Sequence, residues 1–216
     1  MRFPNAFKGV SKLFTAQVMM LIAGIAAVIS GIVSVVVGAL SQNSEVAAVG
    51  ALVVFGVIVV VTAVFSVIAF ILNLVGLIQA RKDESSFTVA LITTIVGIVA
   101  SALMGTFQSN GLVSGLMNVI QIVASLATTL FVIQGIMKLA NRLGNANMVN
   151  KGNTMFKLIL AVQIIAIIAR FIAALFANNT ALLVVAGVLA IIAAVINVVV
   201  YFLFLSYLGK AKKMLA

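Results

Sequence analysis

Four stretches of this sequence, each longer than 30 residues, contain no residue that is charged at neutral pH. They span residues 13–44, 46–80, 85–137 and 171–209. A helix needs about 20 mostly apolar residues to cross the hydrocarbon core of a membrane, so each of the last two stretches holds one unusually long span or more than one. Hydrophobic residues make up 65% of the chain, against roughly 45–50% in soluble domains. The sequence therefore predicts an integral membrane protein.

Short polar patches divide the chain into six apolar segments, and we interpret each segment as a transmembrane helix. The segments are 13–40, 46–80, 87–107, 112–137, 156–176 and 181–208. The first follows basic residues, as a secretory signal does, but the apolar core of a signal runs only about 7–15 residues. We therefore expect a retained first span. The predicted fold class is all-α, with residues 1–216 forming a single transmembrane domain.

The polar patches alternate in charge along the chain. The patches SQNSE (41–45), QSNG (108–111) and ANNT (177–180) contain no Lys or Arg, whereas the other patches and the two termini hold twelve of the thirteen basic residues. Basic residues beside membrane spans stay on the cytoplasmic side. The charge distribution therefore predicts that both termini are cytoplasmic.

This topology assigns two cytoplasmic connections. Arg81-Lys82-Asp83-Glu84 is expected to be the turn between the second and third spans, in preference to a charged binding site. The asparagine-rich segment 139–155 is expected to connect the fourth and fifth spans, largely as a solvated extension of the fourth that ends near Gly144.

The three hairpins that result resemble one another, at approximately 13–82, 87–142 and 156–213. Their first spans begin with Phe14-Thr15, Phe87-Thr88 and Phe156-Lys157, and their second spans end with Ala80-Arg81-Lys82, Ala140-Asn141-Arg142 and Ala211-Lys212-Lys213. We interpret this as a tandem parallel repeat, because every hairpin begins and ends on the same side. Chance similarity in an apolar sequence of low diversity is the alternative.

Several kinds of chemistry have no residues to support them. The chain contains no Cys and no His, and its three carboxylates are Glu45, Asp83 and Glu84. No carboxylate lies inside an apolar run, so a buried carboxylate relay of the kind found in proton pumps is not available. We expect no catalytic residues, no metal site, no cofactor and no enzymatic activity.

Arg170 is the one charged residue in the interior of a predicted span, since Lys157 is the second residue of the fifth segment. A charge at membrane depth is costly and is by default a functional hypothesis. Arg170 lies six residues before Phe176, about 9 Å of helix from the uncharged end. One interpretation is structural, with Arg170 anchored at the interface or paired with Glu45. The other is contact with a ligand or an ion.

A polar stripe follows one face of the fourth span. Its residues are Asn118, Gln121, Ser125 and Thr128. Their spacing of three, seven and ten places them on the same side of a helix, and Gln163 and Arg170 repeat the seven-residue spacing on the fifth span. The two faces are expected either to form hydrogen bonds between helices or to line a polar path.

Small residues at four-residue spacing predict close helix packing on two spans. They are Ala23, Ala27 and Gly31 on the first span and Ala186, Ala190 and Ala194 on the sixth. Such residues let helix backbones approach closely in lipid. They serve contacts either within the bundle or with a partner subunit, which would be another membrane protein or a second copy.

In size and topology the chain resembles small multi-span bacterial membrane proteins, which implies a multi-pass protein of a bacterial plasma (inner) membrane. The expected partners are anionic lipid headgroups at the basic face, and no nucleic acid is expected. The leading functional hypothesis is a non-enzymatic structural or protein-interaction subunit. The alternative is a transporter or channel component for a small neutral, lipidic or anionic solute, using Arg170 and the stripe of the fourth span.

The predicted topology can be tested with single cysteines, since the chain has none of its own. Cysteines replacing Ser41, Ser109 and Asn178 are expected to react with a membrane-impermeant maleimide on intact cells. Ser85→Cys, in the opposite set of patches, is expected to react only after the membrane is permeabilised. Protection of any of the first three in intact cells contradicts the topology.

Overall fold

The chain forms six long α-helices in the residues that the computed structural model describes. The described residues are 3–40, 45–107, 111–175 and 180–216. Within these ranges only the backbone is described at residues 35–40, 45–54, 111–112, 170–171, 173–175, 180–181 and 183. The helices are α1 (Pro4–Leu40), α2 (Glu45–Ala80), α3 (Ser86–Thr106), α4 (Gly111–Arg142), α5 (Ala146–Leu175) and α6 (Thr180–Leu215). The predicted SQNSE, QSNG and ANNT turns fall almost wholly outside these ranges.

All six helices are long and apolar enough to cross a membrane. Large apolar side chains such as Ile32, Val60, Leu116 and Ile191 are at least 60% exposed. A soluble protein rarely presents such continuous apolar faces to water, whereas helices satisfy their own backbone hydrogen bonds and can lie in lipid. For the described residues, the prediction of an all-helical fold is confirmed, with six helices that are long and apolar enough to span a membrane.

Each helix packs mainly against its neighbour in sequence, in the pairs α1 with α2, α3 with α4, and α5 with α6. In the last pair the buried positions recur every seven residues. They are Met148, Met155, Val162 and Ala169 on α5, and Ala186, Ala193, Val200 and Tyr207 on α6. A strict seven-residue repeat keeps one side of each helix against its partner along the whole length. The contact is a continuous seam.

The α1–α2 seam brings two helix backbones into close contact. On α1, Gly9, Ala16, Ala23 and Ser30 are buried at seven-residue spacing. A Cβ atom added to Gly9 would lie 2.5 Å from the carbonyl oxygen of Gly76 on α2, and one added to Gly76 would lie 2.9 Å from that of Gly9. Because both residues lack a side chain, the helices approach closely and gain dispersion energy that apolar contact in lipid does not otherwise provide.

Large buried side chains gather at the end of the bundle that carries the described lysines and the arginines Arg81 and Arg142, which we call the basic end. The largest fully buried residues are Val10, Leu77, Phe87, Ile133, Ile136, Leu139 and Leu208. Further along the helices the described buried residues are mostly small, as at Ala100, Ala124, Ala169 and Ala186. Contacts of α1 with α6, α2 with α3 and α4 with α5 connect the three helix pairs.

A tight turn joins α4 to α5. Gly144 adopts a positive φ of 69°, and the Asn145 and Gly144 amides donate to the Ala140 and Asn141 carbonyls at 2.9 and 3.0 Å, which is the Schellman arrangement that ends a helix. Asn145 then caps α5, its Oδ1 accepting from the Met148 amide at 3.1 Å. The predicted connection 139–155 is therefore mostly helix, with only residues 143–145 outside α4 and α5.

Gly9→Ala is expected to destabilise the protein by about 1–3 kcal/mol, because the added methyl group overlaps the backbone of α2. Gly24→Ala is the matched control on the same helix, since no atom outside its own helix turn lies within 4 Å of the added Cβ. We expect no loss of stability from this control. Thermal unfolding in detergent, followed by circular dichroism, measures both. Equal midpoints for the two variants contradict the close packing.

Candidate functional site

A buried carboxylate at the basic end is surrounded by groups from two helices. The Glu84 side chain is 1% exposed, directly before α3. Arg142 of α4 places Nη2 2.7 Å from Oε2, and Lys138, one turn earlier, places Nζ 3.5 Å from Oε1. Both cations remain about half exposed. We call Glu84, Ser86, Lys138 and Arg142 the Glu84 cluster.

Hydrogen bonds complete the Glu84 cluster at the start of α3. Oε1 of Glu84 accepts weak bonds from the Ser86 amide and hydroxyl at 3.4 and 3.3 Å. Lys138 Nζ donates to Ser86 Oγ at 2.9 Å. A negative charge is also favoured at a helix N-terminus by the helix dipole. The carboxylate therefore stabilises α3 and ties it to α4.

Asp83 connects the same turn to a third helix. Its Oδ1 accepts from Asn5 Nδ2 at 3.0 Å, and its Oδ2 accepts from the Ala6 amide at 2.6 Å, so Asp83 caps the first turn of α1 from a distant part of the chain. Arg142 Nη1 donates to the Asp83 carbonyl at 3.2 Å. The turn thus links α1, α3 and α4.

The turn at Arg81–Glu84 lies between α2 and α3, as the sequence predicted, but its charges divide into two kinds. Arg81 and Lys82 are exposed, whereas Asp83 is half-buried and Glu84 is buried. Sequence reasoning treated all four as topological signals and missed the role of the carboxylates. One signal was available, because Lys138 and Arg142 stand four residues apart on one face of α4 and indicate an acidic partner.

Two contacts close the bundle between its first and last helices. The Tyr201 hydroxyl of α6 donates to the Gln17 carbonyl of α1 at 2.5 Å. Lys212 Nζ lies 5.9 Å from the centre of the Phe14 ring, within the range of a cation–π interaction. The basic end is therefore a closed arrangement of helices.

The polar stripe of the fourth span divides in the structure. Thr128 lies between α3 and α4, where its Oγ1 is 2.8 Å from that of Thr93 and 3.3 Å from that of Thr94. Gln121 is half-buried, and Asn118 and Ser125 are exposed. Thr128 thus contributes to the contact between α3 and α4. For the other residues of the stripe, hydrogen bonding between helices and the lining of a polar path both stay predictions.

The structure describes the other predicted site residues only in part. Gln163 is half-buried on α5. Arg170 and Glu45 belong to α5 and α2, but their side chains lie outside the described part of the structure, so the proposed pair stays a prediction. Among the predicted packing residues, Ala23 and Ala186 are buried, whereas Ala27, Gly31, Ala190 and Ala194 are exposed.

Within the described residues no three His, Cys, Asp or Glu side chains are grouped as they would be to hold a metal ion. The interactions of the site are electrostatic: the Glu84 carboxylate is paired with Lys138 and Arg142, and this pairing holds the start of α3 against α4. Comparison with protein-family models, curated proteins and solved structures finds no match to this chain.

Arg142→Gln is expected to destabilise the protein by about 1–3 kcal/mol, because it leaves Glu84 buried with only the more distant Lys138 as a charge partner. Arg81→Gln removes the same charge three residues before Glu84 from an exposed side chain and is expected to cost less than about 0.5 kcal/mol. Chemical denaturation in detergent micelles measures both.

A double-mutant cycle sharpens the result. Glu84→Gln is expected to cost less in the Arg142→Gln background than in the wild type, because the charge it removes has already lost its nearest partner. Strictly additive effects would show that the Glu84 cluster does not couple α3 to α4.

Proposed function

We propose that this protein is a non-enzymatic, six-span protein of a bacterial plasma membrane that acts as a structural or protein-interaction subunit. The exposure of Asn118 on α4 and Asn197 on α6 carries the proposal. Neither amide has a hydrogen-bond partner among the described residues. An unsatisfied amide in hydrocarbon is costly, and a helix of another membrane protein, or of a second copy, would supply the missing partner.

Exposed small residues on α1 and α6 support the same proposal. Ala27 and Gly31 on α1, and Ala190 and Ala194 on α6, are exposed, and no atom from another part of the structure lies within 4 Å of a Cβ added at Gly24, Gly31 or Gly187. A lipid chain gains little contact energy at such a shallow surface, whereas a partner helix can approach the surface closely and pack against it.

The proposed orientation places both termini and the basic end in the cytoplasm. Support comes from the eleven basic residues with described side chains, all of which lie at that end. The proposed tandem repeat is supported by the seven-residue spacing of buried positions in both the α1–α2 and the α5–α6 seams.

A role without catalysis is supported by the use that the structure makes of its acidic groups. Asp83 and Glu84 both form contacts that hold helices together. The sequence contains one other carboxylate, Glu45, and has no His or Cys. Of the carboxyl, imidazole and thiol groups that commonly serve acid–base or nucleophilic chemistry, the sequence therefore leaves only the carboxylate of Glu45.

A transporter or channel component is the second candidate, and the exposure of Asn118 and Ser125 is the observation that favours it. If this face of α4 borders water inside the bundle, the polar stripe and Arg170 would line a path for a small neutral, lipidic or anionic solute. Water access and partner contact at these positions therefore distinguish the two functions.

Crosslinking from single cysteines in native membranes separates these functions. Ser125→Cys and Ala190→Cys each lie seven residues from an exposed asparagine and on the same helix face, and both native residues are exposed. We expect both variants to crosslink to a second polypeptide. Ala124→Cys and Ala193→Cys are the matched controls, since both native residues are buried, and we expect them not to crosslink.

Adding Asn118→Leu to Ser125→Cys is expected to lower the crosslinking yield roughly three- to thirtyfold, which corresponds to the loss of one interhelical hydrogen bond in a membrane. Reaction of Ser125→Cys with a water-soluble maleimide, without any crosslink, contradicts the interaction role and supports the solute path.

A further inference from the structure

A cleft of about 320 Å³ opens at the basic end, between the start of α5 and the end of α6. Three lysines, two asparagines and two methionines line it. The polar residues are Lys151, Lys210, Lys213, Asn145 and Asn147. Its volume is close to that of the smallest small-molecule sites, which hold roughly 300–1,000 Å³, but the cleft is shallow and open to its surroundings.

The three lysines of this cleft have no acidic partner in the described structure. All three are exposed, and none forms an ion pair or a side-chain hydrogen bond with a described residue. The described acidic side chains, Asp83 and Glu84, already contact α1, α3 and α4. Like charges that converge on one cleft repel one another, and an anion bound between them relieves that repulsion.

Helix geometry adds to the positive potential of the cleft. The cleft borders the first turn of α5, where the helix dipole favours an anion, although the Ala146 and Met148 amides already donate to the Gly144 carbonyl and to Asn145 Oδ1. Asn145 uses its Oδ1 to accept from the Met148 amide, so its side-chain NH₂ remains as a donor. Ammonium and side-chain amide NH₂ groups are donors that suit a phosphate.

The position of the cleft along the helices indicates the source of that phosphate. Lys157 lies six residues beyond Lys151, about 9 Å along the helix, and the next twelve residues of α5 contain no charge. Headgroups occupy the roughly 5–8 Å of each leaflet outside the hydrocarbon core. Lys151 therefore lies at the outer edge of the headgroup layer, within reach of a phosphate for a long lysine side chain, and the two methionines of the cleft offer apolar contact.

We propose that this cleft binds the phosphate of an anionic lipid headgroup. The proposal deepens the proposed function by naming a ligand for one site of the basic end, and it rests on the insertion of the six helices in a membrane. It depends neither on the direction of insertion nor on a protein partner.

Lipid titration followed by native mass spectrometry tests the proposal. The purified full-length protein in a non-ionic detergent is titrated with phosphatidylglycerol, and with phosphatidylcholine of the same acyl chains. We expect preferential retention of phosphatidylglycerol. Combined Lys151→Gln, Lys210→Gln and Lys213→Gln is expected to weaken that binding by at least about tenfold.

The matched control combines Lys8→Gln, Arg81→Gln and Lys82→Gln, which removes the same charge from exposed residues at the same end. We expect this control to weaken phosphatidylglycerol binding by less than about threefold. Circular dichroism verifies that both triple variants remain folded. Equal losses in the two would show a diffuse effect of surface charge and would overturn the proposal.

A competition with inorganic phosphate distinguishes a lipid from a soluble anion. Phosphatidylglycerol that stays bound in excess inorganic phosphate supports the lipid. Displacement by inorganic phosphate, with no preference for phosphatidylglycerol over phosphatidylcholine, would assign the cleft to a soluble phosphate and overturn the lipid assignment. The crosslinking experiment tests the proposed protein contact separately, so the two proposals can fail independently.

Discussion

The compensation of one buried negative charge organises the basic end of this protein. Glu84 lies among the largest buried side chains of the bundle, where an unpaired carboxylate would be strongly unfavourable. Lys138 and Arg142 supply the opposite charge while remaining about half exposed, so most of the desolvation cost falls on a single group. Asp83, its neighbour in sequence, caps α1 in the same turn. Two consecutive residues thereby fix the relative positions of three helices.

Packing changes character with distance from this turn. Phe87, Ile133 and Leu139 are fully buried near Glu84, where the helix pairs meet. Along the seams away from the basic end, alanine and serine replace them, and the contact becomes one of closely spaced helices. In lipid this is the effective way to hold helices together, because apolar side chains are solvated equally well by the membrane.

Much of the fold follows from the sequence, because apolar length and helical spacing are local properties. The six spans are read directly from the apolar runs, and the packing role of Ala23 and Ala186 follows from their small size. The start of α5 was harder to predict, since residues 146–155 are largely polar and lie outside the apolar run that begins at residue 156. Its signal was the pair Gly144-Asn145, one residue suited to ending a helix and the next to starting one.

The candidate site was harder to anticipate, because it depends on residues that are distant in sequence. Asp83 and Asn5 are 78 residues apart, and no local pattern joins them. The same holds for the polar stripe, where Thr128 meets Thr93 of α3 while Asn118, ten residues earlier, does not contact a polar side chain of the described structure. A shared helix face predicts a common direction, but the neighbouring helix covers only part of that face.

The contact between α1 and α6 has a consequence for biosynthesis. Gln17 and Tyr201 are separated by 184 residues, so the first helix must reside in the membrane while nearly all of the remaining chain is still being made. Throughout that interval the α6-facing surface of α1 can contact only lipid or an assisting insertion factor. The contact between α1 and α6 therefore forms late and joins residues that are distant in sequence. In a nascent chain that is interrupted before its final hairpin, the α6-facing side of α1 would stay uncovered.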